Sequence, residues 1–221
     1  MGHDGRHAAF AAISSAPVQR GAPLLRWKTI LMATRRRPLK IDRHTALLIV
    51  DMINDFDFEG GVDLLRNTQR IVAPLKALRA RMAAMGCPVV FCNDNFGQWR
   101  SDFRQVVKHC CASDARGHAI CRAMRPAKDD YFVLKPRHSA FYATPLEALL
   151  DDVKAGSLVV TGIAGDGCVL STASDAHIRK HEVMVPRDCM ASISGERNDN
   201  AIAYLGESLR LDTRPSTDIA S

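Results

Sequence analysis

The chain has 221 residues, 47% of them apolar and 24% charged, which fits one globular domain with a full core. No apolar run approaches the roughly 18 residues that a membrane span needs, so a transmembrane helix is excluded. The net charge of +6 sits in residues 1–40, where eight Lys or Arg face only Asp4, so a nucleic-acid-binding body is excluded.

Residues 1–40 read as a basic, flexible arm, and residues 41–221 as the working domain. Any nucleic-acid role would rest on the arm alone, with Arg35, Arg36, Arg37 and Lys40 as its densest cluster. A solvated tail is the simpler reading. The arm is Arg-rich and acid-poor, as transit peptides are, and Met32 offers an alternative start ahead of the first strand. Ala8 to Ala16 is short and broken by serines, which argues against a secretory signal.

The apolar run Ala46 to Val50 predicts a buried strand ending at Asp51. Leu64 to Met85 carries apolar residues at helical spacing and closes at Gly86 and Pro88. Pro88 to Cys92 predicts a second strand, followed by a looser helix over Ser101 to Cys111. Tyr131 to Leu134 is a third strand, ending at Lys135. Thr144-Pro145-Leu146-Glu147 has the hydroxyl, proline and glutamate of a helix start. Ser157 to Ile163 is a fourth strand, with a helix from Cys168 to Lys180. Glu182 to Pro186 is a fifth strand, Glu196 to Leu209 a helix, and Arg210 to Thr213 a short sixth strand. The alternation predicts an α/β three-layer sandwich around a parallel, doubly wound sheet, with ligands bound beyond the C-terminal strand ends.

Three of those ends carry reactive side chains: Asp51, Lys135 and Cys168. A thiol at a helix N-terminus beside an ammonium is expected to ionise readily and to act as a nucleophile. A carboxyl at the end of a buried strand can have its pKa raised enough to shuttle a proton. Backbone N–H groups around Ala164 and Cys168 would hold an oxyanion. The reaction class is acyl transfer to water through a thioester. Singly, each residue has a plainer reading as a turn, solvated or core residue; jointly they predict a site.

Four segments carry a family resemblance: Asp51-Met52-Ile53-Asn54-Asp55-Phe56; Asn93-Asp94-Asn95-Phe96-Gly97-Gln98-Trp99; Lys135 with Ser139-Ala140-Phe141; and Val160 to Val169 around Cys168. Together they resemble the isochorismatase-like cysteine hydrolases over about residues 43–215. The resemblance implies a six-stranded parallel sheet, an Asp51–Lys135–Cys168 triad, a cis peptide between Ile163 and Ala164, and a homo-oligomer. Ile53 and Gly165 depart from the glutamine and threonine that many members carry there. Members that cleave isochorismate need no nucleophile, so Cys168 points to carbon–nitrogen cleavage. The nicotinamidase metal site pairs an Asp with a His two residues on; Asp94 matches, but Phe96 stands in the histidine's place, so no metal is expected. Catalytically idle scaffold, nicotinamidase-type and isochorismatase-type roles are the alternatives.

Further pocket candidates are Asn54, Phe56, Asn93, Trp99, Phe141 and Asp166, with Arg100 or Arg137 for a substrate carboxylate. Packing is the plainer role for Trp99 and Phe141, and helix capping for Asp166. Cys110 to Arg116 has the Cys-x5-Arg spacing of a phosphatase loop, but the segment lacks glycine, includes Asp114 and follows a helical pattern. His109, Cys110, Cys111, His118 and Cys121 lack zinc-site spacing and read as unpaired. Gly162-x-x-Gly165-x-Gly167 is not a dinucleotide fingerprint. Seven irregularly spaced cysteines predict reduced thiols and a cytoplasmic setting. The expectation is a cofactor-free hydrolase of small amide, carbamoyl or ureido compounds, binding neither membrane nor nucleic acid.

Overall fold

Six strands form one all-parallel sheet in the computed structural model, which describes residues 41–219. They are β1 (Thr45–Val50), β2 (Val89–Asp94), β3 (Tyr131–Lys135), β4 (Ser157–Ile163), β5 (Glu182–Met184) and β6 (Met190–Ala191). The order is β3-β2-β1-β4-β5. β5 pairs with the start of β4, and β6 pairs with its end through Gly162↔Met190 and Ile163↔Ala191. The helices are α1 (Gly61–Ala84), α2 (Phe103–Cys110), α3 (His118–Ala123), α4 (Leu146–Asp152), α5 (Leu170–Ile178) and α6 (Gly195–Ala203). The basic arm lies outside the described residues.

Every residue of β1 is buried, as a strand covered on both faces must be. Leu47 and Ile49 face α1, meeting Leu75, Leu78 and Met82. Ala46, Leu48 and Val50 face the other way, toward Leu146, Leu150 and Ala173 of α4 and α5. Period-two alternation thus divides the apolar residues between two cores and sets a helical layer on each face of the sheet. The order of strands reverses beside β1 and β4, which is where such sheets open a crevice.

Three expectations need correction. Arg210–Thr213 makes only an isolated bridge, Met184↔Asp212, because Arg210 adopts a left-handed φ of 56° that interrupts the extended run. The sixth strand is the two-residue β6. The helix expected from Cys168 begins at Leu170, and a π-helical turn over Gly165–Val169 carries the thiol. Cys111 and Cys121, expected to be unpaired, form a disulfide. The short helix α3, which left no sequence signal, folds back on α2 and brings their Cα atoms within 5.2 Å. The other five cysteines are free.

Candidate active site

β4 delivers the sulfur. At its end Gly162 has a φ of 109°, and a Cβ there would lie 2.1 Å from the Val50 carbonyl oxygen, so only glycine lets β4 close on β1. The Ile163–Ala164 peptide is cis. The Ala164 carbonyl accepts from the amides of Gly167 (3.0 Å) and Val169 (3.1 Å), and the Asp166 amide donates to Ser192 Oγ at 3.0 Å. Three of the N–H groups around the thiol are therefore already engaged.

β1 delivers the carboxylate. Asp51 takes a left-handed φ of 50°, which ends the strand. Its Oδ1 accepts from the Asp94 amide at 2.7 Å, tying it to the end of β2. β3 delivers the ammonium, although β2 stands between β3 and β1. The stem of Lys135 spans that gap. Its Nζ lies 2.8 Å from Asp51 Oδ2, 3.3 Å from Cys168 Sγ, 3.3 Å from the Arg137 carbonyl oxygen and 3.7 Å from Asp94 Oδ2. Three residues separated by 84 and 33 positions in the chain meet around one nitrogen.

Burial pushes the Asp51 carboxyl above its usual range, against the pull of the adjacent Lys135. Burial works against the Lys135 ammonium, but Asp51, Cys168 and Asp94 outweigh it and hold the lysine charged. The thiol departs from expectation. Burial, followed by the charge of Asp51, pushes Cys168 up to about 12, more than Lys135 pulls it down. The resting sulfur is therefore a thiol beside the charged Lys135 and the Asp51 carboxyl. The expected thiolate assumed helix amides and an ammonium, but not a neighbouring carboxylate.

The remaining candidates divide. Asn54 Oδ1 accepts from the Phe56 amide at 2.7 Å, and Asn93 Nδ2 donates to the Ile53 carbonyl at 2.6 Å. Both bonds brace the loop that follows Asp51. Asn93 Oδ1 is buried without a partner among the described residues. Phe56 is a core residue, fully buried with Gly117 close against its ring. Phe141 stacks on His181 beneath Arg179, at the far end of α5 from the sulfur, and is packing. Trp99 is 78% exposed rather than packed, in the connection after β2. Arg100 and Arg137 are exposed. Asp166 caps no helix; its carboxylate takes a bond from Arg197 Nε at 2.5 Å.

The Cys-x5-Arg segment forms no phosphate cradle, since Cys110 is buried and Arg116 donates to the Phe56 carbonyl at 2.8 Å. Among the described residues no group of three His, Cys, Asp or Glu side chains gathers as metal ligands would. Sequence reasoning missed Asp94 as a partner of Lys135, and missed Thr172 and Asp175, which bond the connection after Lys135. Their signal was available: positions 172 and 175 share one helical face.

The family model described as "Isochorismatase domain" matches residues 45–210. An uncharacterised isochorismatase family protein of Bacillus subtilis is 39% identical over 160 residues, 72% of this chain and 87% of the relative. A ureidoacrylate amidohydrolase of Methylorubrum extorquens is 27% identical over 204 residues, 79% of this chain and 81% of the relative. A crystal structure of N-carbamoylsarcosine amidase from Thermoplasma acidophilum shares the fold, with a TM-score of 0.60 and 24% identity over 83% of this chain and all of that one.

Proposed function

The chain belongs to the isochorismatase family, and from that premise we propose that it hydrolyses a carbon–nitrogen bond of a small amide, carbamoyl or ureido compound through a thioester on Cys168. One observation carries the reading: Lys135 Nζ stands between Asp51 Oδ2 and Cys168 Sγ, at 2.8 and 3.3 Å. The names of relatives, an amidohydrolase of ureidoacrylate and an amidase of N-carbamoylsarcosine, favour the same substrate chemistry.

The steps follow from the charges. Asp51, made more basic by burial, takes the thiol proton as the sulfur attacks the substrate carbonyl carbon. Lys135 stays protonated and neutralises the sulfur's developing charge. The carbonyl π pair moves to oxygen, where the amides of Ala164 and Cys168 are the proposed donors. The tetrahedral adduct collapses with breakage of the C–N bond. The leaving nitrogen takes the proton held by Asp51, which leaves a thioester and an amine or ammonia. Water then attacks the thioester, gives a proton to Asp51 and releases the acid, and that proton returns to the sulfur.

A thiol pushed up to about 12 suits this order of events. The free thiolate is scarce at neutral pH, so proton transfer to Asp51 accompanies the attack. Under the same reading the side chains supply nucleophile, base and cation, so the reaction needs no cofactor. The enzyme would work in the cytoplasm as a homo-oligomer, with Asp166, Trp99, Arg100 and Arg137 as rim candidates for substrate contacts.

Ammonia release across a panel of small amides and ureides tests the proposal. At least one compound should be turned over by the wild type and not by Cys168→Ala, which should still bind it. Turnover surviving in Cys168→Ala would refute covalent catalysis. A wild type inert across the whole panel, with no acyl adduct on Cys168, would favour an idle family fold.

A further inference from the structure

Cys168 sits in the π-helical turn that leads into α5, and Thr172 and Asp175, four and seven residues on, lie at i and i+3 on one face of that helix. These two hold the connection that leaves β3 after Lys135. Thr172 Oγ1 accepts from the Ala140 amide at 3.0 Å, and Asp175 Oδ2 accepts from the Ser139 hydroxyl at 2.5 Å. Ser139 Oγ also accepts from the Phe141 amide at 3.2 Å. Thr172 is fully buried and Ser139 nearly so. The same connection supplies the Arg137 carbonyl that accepts from the Lys135 ammonium.

Apolar contacts already seal this connection to the helix, since Ala140, Phe141 and Leu146 share a core with Val169 and Ala173. Such contacts are non-directional and permit sliding along the helix axis. Two hydrogen bonds on successive turns do not. Burying a hydroxyl and part of a carboxylate is costly unless they are bonded in one register. Their expense is understandable where the register itself matters. Here it sets where the lysine stands relative to the sulfur.

We propose that Ser139 and Asp175, with Thr172, form a positioning clamp that sets the distance between the Lys135 ammonium and the Cys168 sulfur. The inference rests on the reading of Lys135 as the counter-charge of the sulfur. Neither Ser139 nor Asp175 would touch substrate; each acts through the lysine. The charged groups facing the sulfur are Lys135 and Asp51, with Asp94 behind the ammonium and His138 beside Gly167.

The effect of loosening can be sized. Lengthening the 3.3 Å contact by about 1 Å at an effective dielectric near 20 raises the thiol pKa by roughly one unit. A more basic thiolate is also more nucleophilic, so the net slowing below the pKa is about threefold.

The test is iodoacetamide alkylation of Cys168 in the full chain between pH 7 and 10, followed by peptide mass, with thermal melts alongside. Ser139→Ala and Asp175→Ala should each slow alkylation about threefold across that range. Asp175→Asn, whose amide oxygen can still accept from Ser139, should return most of the rate. Profiles for Ser139→Ala and Asp175→Ala that superimpose on the wild type would overturn the clamp, whatever the melts do. If Asp175→Ala does not fold, Ser139→Ala decides alone, because it removes one oxygen and no charge. Lys135→Met separates the two levels. If it slows alkylation while the clamp variants do not, the clamp falls and the lysine's role stands. If it is equally silent, both fall.

Discussion

Replacing Lys135 by methionine keeps the length of the stem and removes the charge at the centre of the site. Lys135 and Asp51 are almost wholly buried and 2.8 Å apart, so their attraction at an effective dielectric near 20 is about 6 kcal/mol. Most of that offsets desolvation. Losing one partner of such a pair typically costs about 3–5 kcal/mol, because the other is left as an uncompensated buried charge. Asp51 can relieve the cost by holding a proton, which makes the penalty depend on pH. The unfolded carboxyl ionises near its ordinary value of about 4. The folded one, raised by burial in the wild type already, rises further without the lysine. Stability of the variant is then fully present below the unfolded pKa and falls as pH rises toward the folded pKa, by up to about 1.4 kcal/mol per unit. Urea melts of Lys135→Met at pH 5, 6.5 and 8 should show a deficit that grows with pH and reaches about 3–5 kcal/mol. Asp51→Asn/Lys135→Met should recover much of it, because no charge remains buried. A pH-independent deficit under about 1 kcal/mol, or a double variant no better than the single one, would refute the reasoning.

Other consequences can be checked separately. With Cys168 pushed up to about 12, its alkylation should climb through pH 8 to 10 without levelling, and a plateau near pH 7 would contradict the electrostatics described. Gly165→Ala puts a Cβ 2.5 Å from Asn198 Oδ1 and 2.7 Å from Met190 Cε, so those side chains must give way. Melts should show a loss of about 1–3 kcal/mol, and an unchanged midpoint would mean that the Asn198 and Met190 side chains move aside freely. Thiol titration of the unfolded, unreduced chain should count five groups, rising to seven after reduction; seven from the outset would remove the Cys111–Cys121 bond.

What was legible in the sequence, and what was not, follows from range. β1 and β4 announced themselves because a strand covered on both faces is mostly apolar, and Asp51 and Gly162 mark where those apolar runs break. α1 was equally plain, with Leu64, Ile71, Leu75, Leu78 and Met82 on one stripe. α3 and β6 escaped because six and two residues are too few for a period to register, and they are held by neighbours distant in sequence. The disulfide escaped with α3. Arg210 broke an expected strand through a backbone angle that no side-chain pattern encodes.

The site shows the same division. Asp51, Lys135 and Cys168 could be proposed as partners because each lies at or just beyond the end of a strand, and parallel strands end on one side. Their electrostatics could not be read that way. Whether the sulfur rests as thiol or thiolate depends on burial and on a carboxylate brought within reach by folding. Phe141 illustrates the converse: it lies six positions from Lys135, yet its ring faces the opposite end of α5. Nearness in sequence to a reactive residue places a backbone, not a side chain.

The claim that Cys168 attacks, with Asp51 and Lys135 managing proton and charge, is tested most directly by intact mass after rapid acid quench with a slowly hydrolysed substrate found in the ammonia-release panel. The account predicts one acyl adduct per chain, located on Cys168, formed together with a stoichiometric burst of ammonia and absent from Cys168→Ala. Ammonia released at the steady rate from the first turnover, with no adduct on Cys168 at any quench time and undiminished turnover in Cys168→Ala, would contradict it.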